Sequence, residues 1–338
     1  MEFLYLLEKI RNPVFDFIFS AITHLGDETA FLLIAILVFW CVNKRHGYYI
    51  LMSGLLGTIV NQVMKLACKV PRPWHKDPSF TIVESAREGA TGYSFPSGHS
   101  QNSVSTAGAL FLTAKQKWLK IVAICVAVLV PFSRMYLGVH TPWDVIAGSA
   151  CAIVIILLLE PVFTDEGRFN KFMPFIVGGL ALASVAFFIY AELTELPPEY
   201  HIAYDSVVSA KKNAGTMLGC SLGAILVYTL DRLVIKFETG GVWYAQVIKF
   251  VLGVGVVFLI KTFLDIPLAF MGSYERIVRY FVIVGFAGSV WPLTFGWFAR
   301  LRIGFMDRFT EWVVGLFKKP EPKKVAPTYA KGSKKRKK

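Results

Sequence analysis

Long apolar runs broken by short polar segments set the pattern of this chain. Runs near 27–43, 47–68, 99–114, 119–135, 142–160, 172–193, 212–230, 243–262 and 275–298 each approach the ~20 residues that carry a helix across a bilayer. Backbone groups inside a bilayer must bond internally, so such runs predict helices. The pattern therefore predicts an all-α polytopic bundle of about nine spans. Ahead of the first run, Glu8, Lys9, Arg11, Pro13 and Asp16 stand among aromatic residues. Residues 1–26 lack the uncharged core of a signal peptide and read as an amphipathic segment lying in the interface. A tenth span there is the alternative, and it would change the side of the N-terminus.

Composition narrows the class. Of 338 residues, 55% are hydrophobic and 17% charged, too few charges for a soluble domain of this length. The net charge of +13 gathers in a basic tail over 301–338 that includes Lys323, Lys324, Lys334, Lys335, Arg336 and Lys337. On a polytopic protein such a tail is expected to be cytoplasmic and to lie against anionic lipid rather than nucleic acid. Cys41, Cys68, Cys125, Cys151 and Cys220 fall in or beside apolar runs without the paired spacing of a metal or redox site, so they are expected to be free thiols.

Charge also orients the spans. Lys44 with Arg45, Lys115 to Lys120, Arg168 with Lys171, Arg232 with Lys236, and the tail all fall on one side, which the positive-inside rule makes cytoplasmic. The remaining polar segments fall on the other side. Residues 27–160 then form a first membrane unit and 161–300 a set of further helices.

Those segments carry candidate chemistry. Lys65 precedes Arg72-Pro73; Pro96-Ser97-Gly98-His99 opens a helical run; Ser133-Arg134 is followed by His140 and Asp144. Three cations, two histidines and a carboxylate suffice to hold a phosphate, attack it and protonate what leaves. Thr141-Pro142-Trp143-Asp144 reads as a helix start with Thr141 as cap and Pro142 in the first helical position. This puts Asp144 one turn after His140, where it can fix the imidazole tautomer. Ser97 and Gly98 at another helix start offer backbone N–H groups to an anion, with His99 just inside. Taken singly, each segment has a plainer reading as a cap, an anchor or a loop residue. Their convergence on one face has none.

Lys-x6-Arg-Pro, Pro-Ser-Gly-His and Ser-Arg-x5-His-x3-Asp, in this order over residues 65–144, resemble the signature of the type 2 phosphatidic acid phosphatase (PAP2) superfamily, which also includes vanadium haloperoxidases. The resemblance implies that His140 is a nucleophile forming a phosphohistidine, that Asp144 orients it, and that His99 is the general acid. It further implies that Lys65, Arg72, Ser97, Gly98 and Arg134 hold the phosphoryl oxygens, with no metal and no cofactor. For Ser133, capping or packing is an equal reading. Lys212-Asn213-Ala214-Gly215-Thr216 is similar to a segment of the larger branch of the superfamily that includes glucose-6-phosphatase and resembles sphingosine-phosphate phosphatases; a helix-packing face is an equal reading.

Polar residues inside a span face the bundle or a wet cavity, so Gln101 and Asn102 are candidate substrate or second-layer contacts, with helix–helix bonding as the rival. Glu192, Glu195, Glu199 and Asp205, near Tyr200 and His201, read as a solvated loop or a lid. Glu84, Arg87 and Glu88 sit in the long loop between the first two motifs.

The expected function is metal-independent hydrolysis of a lipid phosphate monoester or diphosphate of polyprenyl, phosphatidate-like or sphingoid type, at an extracytoplasmic membrane face. A soluble sugar-phosphate phosphatase, a lipid phosphotransferase and a non-enzymatic lipid carrier are the alternatives. Either a plasma membrane or an endoplasmic reticulum membrane fits, and oligomeric state has no signature.

Overall fold

The computed structural model describes residues 1–199 and 203–317. Tyr200, His201 and the lysines of the tail from Lys318 onward lie outside the described residues. In chain order the α-helices are α1 (Glu2–Lys9), α2 (Pro13–Thr23), α3 (Glu28–Leu37), α4 (Lys44–Cys68), α5 (Pro73–Lys76), α6 (Gly98–Thr113), α7 (Lys117–Tyr136), α8 (Pro142–Thr164), α9 (Glu166–Leu193), α10 (Tyr204–Leu230), α11 (Trp243–Phe263), α12 (Asp265–Leu268), α13 (Glu275–Gly285), α14 (Phe295–Arg300) and α15 (Gly304–Phe317). No strand occurs among the described residues.

Among the described residues, seven helical stretches are long and apolar enough to cross a membrane, and a bent pair raises this to eight. All nine expected segments are helical, but two depart from the simple picture. The first, α3, is only 10 residues long and passes the length test only together with α2, from which it is bent by 53° at Asp27. The third, α6, has 16 residues, or about 24 Å of helix, short of a ~30 Å hydrocarbon layer.

The burial of α6 explains its composition. It packs against α4, α7 and α8, and Ser100, Gln101, Asn102, Ser103, Ser105 and Thr106 are all buried. A helix enclosed by protein need not be apolar toward lipid. Close approach is built into its neighbours: a Cβ on Gly57 of α4 would fall 2.0 Å from Gln101 Nε2, and one on Gly148 of α8 would fall 2.4 Å from the Ser97 carbonyl oxygen.

The N-terminal segment forms two helices, α1 and α2, and both pack along α7. Asn12 caps α2 by accepting from the Val14 and Phe15 amides, with Pro13 in the first turn where its missing N–H costs nothing. Arg11 donates to the carbonyls of Tyr136 at 2.9 Å and Thr81 at 2.8 Å, and Tyr5 bonds Asp77. Residues 1–26 are thereby fastened over the end of the bundle where the loops 69–97 and 137–141 lie. The five cysteines are all free thiols. Contacts divide the chain at Arg300, and the C-terminal unit begins at Leu301; its described part, 301–317, contains α15.

Candidate active site

Local sequence dictates the geometry around His140. Thr141 caps α8: its side chain accepts from the Asp144 amide, while the Asp144 carboxylate accepts from the Thr141 amide at 2.7 Å. This reciprocal box holds Asp144 one turn beyond His140. The His140 Nδ1 to Asp144 Oδ2 distance is 3.5 Å, long for a direct bond. Ser94 stands beside both groups. Its hydroxyl donates to Asp144 Oδ2 at 2.6 Å and lies 3.5 Å from His140 Nδ1.

The other imidazole nitrogen, Nε2, is 2.8 Å from Arg72 Nη1. A guanidinium only donates, so Nε2 carries the lone pair and Nδ1 the proton. This is the tautomer a nucleophilic imidazole needs. His140 lies between α7 and α8, outside the helices, and is 1% exposed. Burial and the neighbouring Arg72 cation hold its pKa well below the ordinary imidazole value, keeping the ring neutral.

Arg72 is pinned through all its nitrogens. Nε donates to Gly92 O at 3.0 Å, Nη2 to Thr91 O at 2.6 Å and Nη1 also to Val139 O at 3.0 Å. It sits just ahead of α5, whose first helical residue is Pro73. Lys65, in the last turn of α4, bonds the Tyr93 carbonyl. Arg134, in the last turn of α7 and 1% exposed, donates from Nη1 to Thr23 Oγ1 at 2.8 Å; its Nε and Nη2 are buried without a partner. Unpaired buried donors on a cation are costly, and an anion would satisfy both.

The helix start at Ser97 is tied to this cluster. The Ser97 amide donates to the Asp144 carbonyl at 2.9 Å, and its hydroxyl caps α6. A Cβ on Gly98 would meet only Asn61 Oδ1, at 3.8 Å, so the space before this helix start is open. His99 follows with Nε2 2.8 Å from Asp27 Oδ1. Gln101 Nε2 and Asn102 Oδ1 are buried without partners, with Gln101 turned toward Gly57 of α4. Ser133 bonds the Val130 carbonyl of its own helix at 2.7 Å, a packing role.

Sequence reasoning missed Ser94, Asp27 and Thr23. None is spaced from the motifs in a way that helix or strand periodicity could reveal, since each reaches the cluster only through tertiary folding. Asp27 carries the one readable signal: a carboxylate beside an apolar run that needs a partner. Glu84 and Arg87 pair with each other at 2.6 Å on the surface. Among the described residues, no group of three or more His, Cys, Asp or Glu side chains is placed to hold a metal.

A multi-pass membrane bundle enclosing a cluster of buried cations and histidines is the class that fold and site define together. Residues 45–168 match the family model described as PAP2 superfamily, and residues 213–303 match one described as PAP2 superfamily phosphatase, transmembrane extension. The chain belongs to the PAP2 superfamily. It is 35% identical to an undecaprenyl-diphosphatase of Sulfolobus acidocaldarius over 34% of this chain and 53% of that protein. It is 28% identical to sphingosine-1-phosphate phosphatase 1 of Mus musculus over 52% of this chain and 42% of that protein. Phosphatidylglycerophosphatase B of Bacillus subtilis is 31% identical over 48% of this chain and 82% of its own length. The chain thus spans about half the length of the first two relatives. No solved structure matches it.

Proposed function

We propose that this protein hydrolyses a lipid phosphate monoester or diphosphate through a phosphohistidine on His140. The observation that carries the reading is the neutral His140 Nε2 seated against Arg72 beside the two unpaired buried donors of Arg134. The relatives named above act on undecaprenyl diphosphate, sphingosine 1-phosphate and phosphatidylglycerophosphate by their names, which supports an amphiphilic substrate.

In the first step the Nε2 lone pair attacks phosphorus and the P–O bond to the lipid breaks. His99 gives its proton to the departing oxygen. Nδ1–H stays directed at Asp144 and Ser94, so the positive charge that grows on the ring meets a carboxylate. Lys65, Arg72, Arg134 and the amides at Ser97 and Gly98 neutralise the equatorial oxygens, where a loose phosphoryl transition state concentrates charge. In the second step water attacks phosphorus, the N–P bond breaks, His99 takes the water's proton and inorganic phosphate leaves.

Three cations and a helix start supply the charge neutralisation without calling on a metal. The excess of Lys and Arg at the opposite ends of the spans supports an extracytoplasmic site and a cytoplasmic basic tail against anionic lipid. The deciding experiment is phosphate release by the purified protein from polyprenyl, phosphatidate and sphingoid phosphates in the presence of EDTA. Wild type is expected to release phosphate and His140→Ala none above background. Activity surviving in His140→Ala would sink the mechanism, and release only from water-soluble esters would sink the lipid assignment.

A further inference from the structure

One helix of the C-terminal extension faces two cavities of unequal polarity. Asp205, Ser209 and Lys212 of α10 line the more polar one, a cavity of about 470 Å³ that also reaches Arg72, His75 and Arg87. Thr216, Cys220 and Ala224, continuing the same stripe at steps of four residues, line a second and overwhelmingly apolar cavity. Residues three and four apart share a helix face. The face therefore changes from charged to apolar along about 28 Å of helix.

The polar cavity reaches the catalytic cluster, and the apolar one starts beside it in sequence. The polar one includes Arg72 itself, whose Nη1 contacts His140. The apolar one begins at Glu28 and Thr29, next in sequence to Asp27, the partner of His99. From there it runs past Phe31 and Ile36 to Trp40. Its space has a packing cause: α3 packs on α4 and α6, whereas α11 packs on α13 and α14, and between them the small buried residues Thr216, Cys220 and Ala224 of α10 leave a gap. Leu32 and Phe258, on opposite walls, are 37% and 44% exposed, so the cavity opens sideways where lipid would lie.

We propose that this α10 face is the lipid-binding rail of the protein: the polar cavity takes the head group, and the apolar cavity takes the hydrocarbon chain of the leaving alcohol. Polarity along the face matches polarity along an amphiphile placed with its phosphate at His140. The chain then leaves the phosphate on the side of His99, the group that protonates the leaving oxygen. The proposal rests on the reading of the protein as a lipid phosphatase and gives its transmembrane extension a task in that reaction.

The test uses the full chain in detergent micelles and a series of alkyl phosphates from butyl to hexadecyl. In wild type, kcat/KM is expected to rise with chain length. In Ala224→Phe, which fills the apolar cavity, the hexadecyl-to-butyl ratio should fall by roughly tenfold or more, the loss of a few buried methylenes. An unchanged ratio would overturn the proposal. Photocrosslinking gives a second readout that needs neither hydrolysis nor a cavity-filling variant. In His140→Ala, where ligand persists, a hexadecyl phosphate carrying a diazirine at the end of its chain should crosslink to α10 between Thr216 and Ala224, as read by mass spectrometry, and excess hexadecyl phosphate but not butyl phosphate should suppress the crosslink several-fold. A crosslink elsewhere, or equal suppression by phosphatidylcholine, would mean that the cavity does not hold the substrate's chain, which also overturns the proposal. If wild type cleaves no alkyl phosphate yet this crosslink forms and is suppressed by chain length, the catalytic reading fails while the rail stands.

Discussion

His99 Nε2 lies 2.8 Å from Asp27 Oδ1, and the other oxygen of Asp27 lies 2.7 Å from His24 Nδ1. A bend between α2 and α3 thus delivers to the second motif's histidine a carboxylate of its own, as Asp144 serves His140. A carboxylate so placed fixes the ring and favours the protonated state a general acid must have. Asp27→Asn should lower kcat for an alkyl phosphate by about 10- to 100-fold. With p-nitrophenyl phosphate, whose leaving group departs without protonation, the loss should be only a few-fold. Equal losses for both esters would remove Asp27 from the acid step.

On the proposed mechanism, the neutral state of His140 should set the acid limb of the pH profile. Burial, and then the Arg72 cation, hold its pKa well below the ordinary value. Lowering a histidine's pKa disfavours its proton, so the nucleophile stays unprotonated as pH drops through about 6.5, its unperturbed value. The kcat/KM of wild type should therefore persist below that pH. Arg72→Gln removes the cation that opposes protonation, so the residual activity should show its acid limb at higher pH than wild type. A limb that stays in place while activity falls would confine Arg72 to binding phosphate. Profiles of kcat/KM against pH for the two proteins decide it.

What could be read in the sequence followed the range of the interactions. The Thr141–Pro142–Asp144 start of α8 is a matter of adjacent residues, and the box forms as its spacing implies. The run 99–114 could be recognised as a helix but not as an enclosed one, because what buries Ser100, Gln101 and Asn102 is the packing of α4, α7 and α8 around it. Residues 1–26 show the same limit. Their aromatic and charged pattern describes an amphipathic segment, yet its destination over α7, with Thr23 bonded to Arg134, depends on a surface distant in sequence. Ser94 entered the site for a similar reason: its loop is brought back by Arg72 bonding the Thr91 and Gly92 carbonyls and Lys65 bonding that of Tyr93.

Arg134 offers a separate test of phosphate binding. Its Nε and Nη2 are buried and unpaired while Nη1 is held by Thr23, so two donors of one rigid fork remain for the ligand. Arg134→Lys keeps the charge but loses the fork. Its kcat/KM should fall by about 10- to 100-fold, and the inhibition constant for inorganic phosphate should rise in step, as expected for one or two lost charge-assisted bonds. Product-inhibition kinetics would show this. An unchanged phosphate constant would mean that Arg134 serves the fold alone.

Gly148 ties the two motif helices together. It lies in α8, one turn beyond Asp144, and a Cβ there would come within 2.4 Å of the Ser97 carbonyl oxygen and 3.3 Å of the Ser97 amide nitrogen. The obstacle is backbone at the start of α6, which cannot swing aside as a side chain could. The Ser97 amide also donates to the Asp144 carbonyl, so relieving the clash would separate the His99 helix start from the His140 and Asp144 end of the cluster. Gly148→Ala should cost about 1–3 kcal/mol of stability, the usual cost of overpacking. Because it opens the distance between nucleophile and acid, kcat should fall by about tenfold or more. Thermal unfolding in detergent measures the first effect and turnover well below the unfolding temperature the second. A destabilised variant with wild-type turnover would show that the α6–α8 contact holds the fold without setting the spacing of the site.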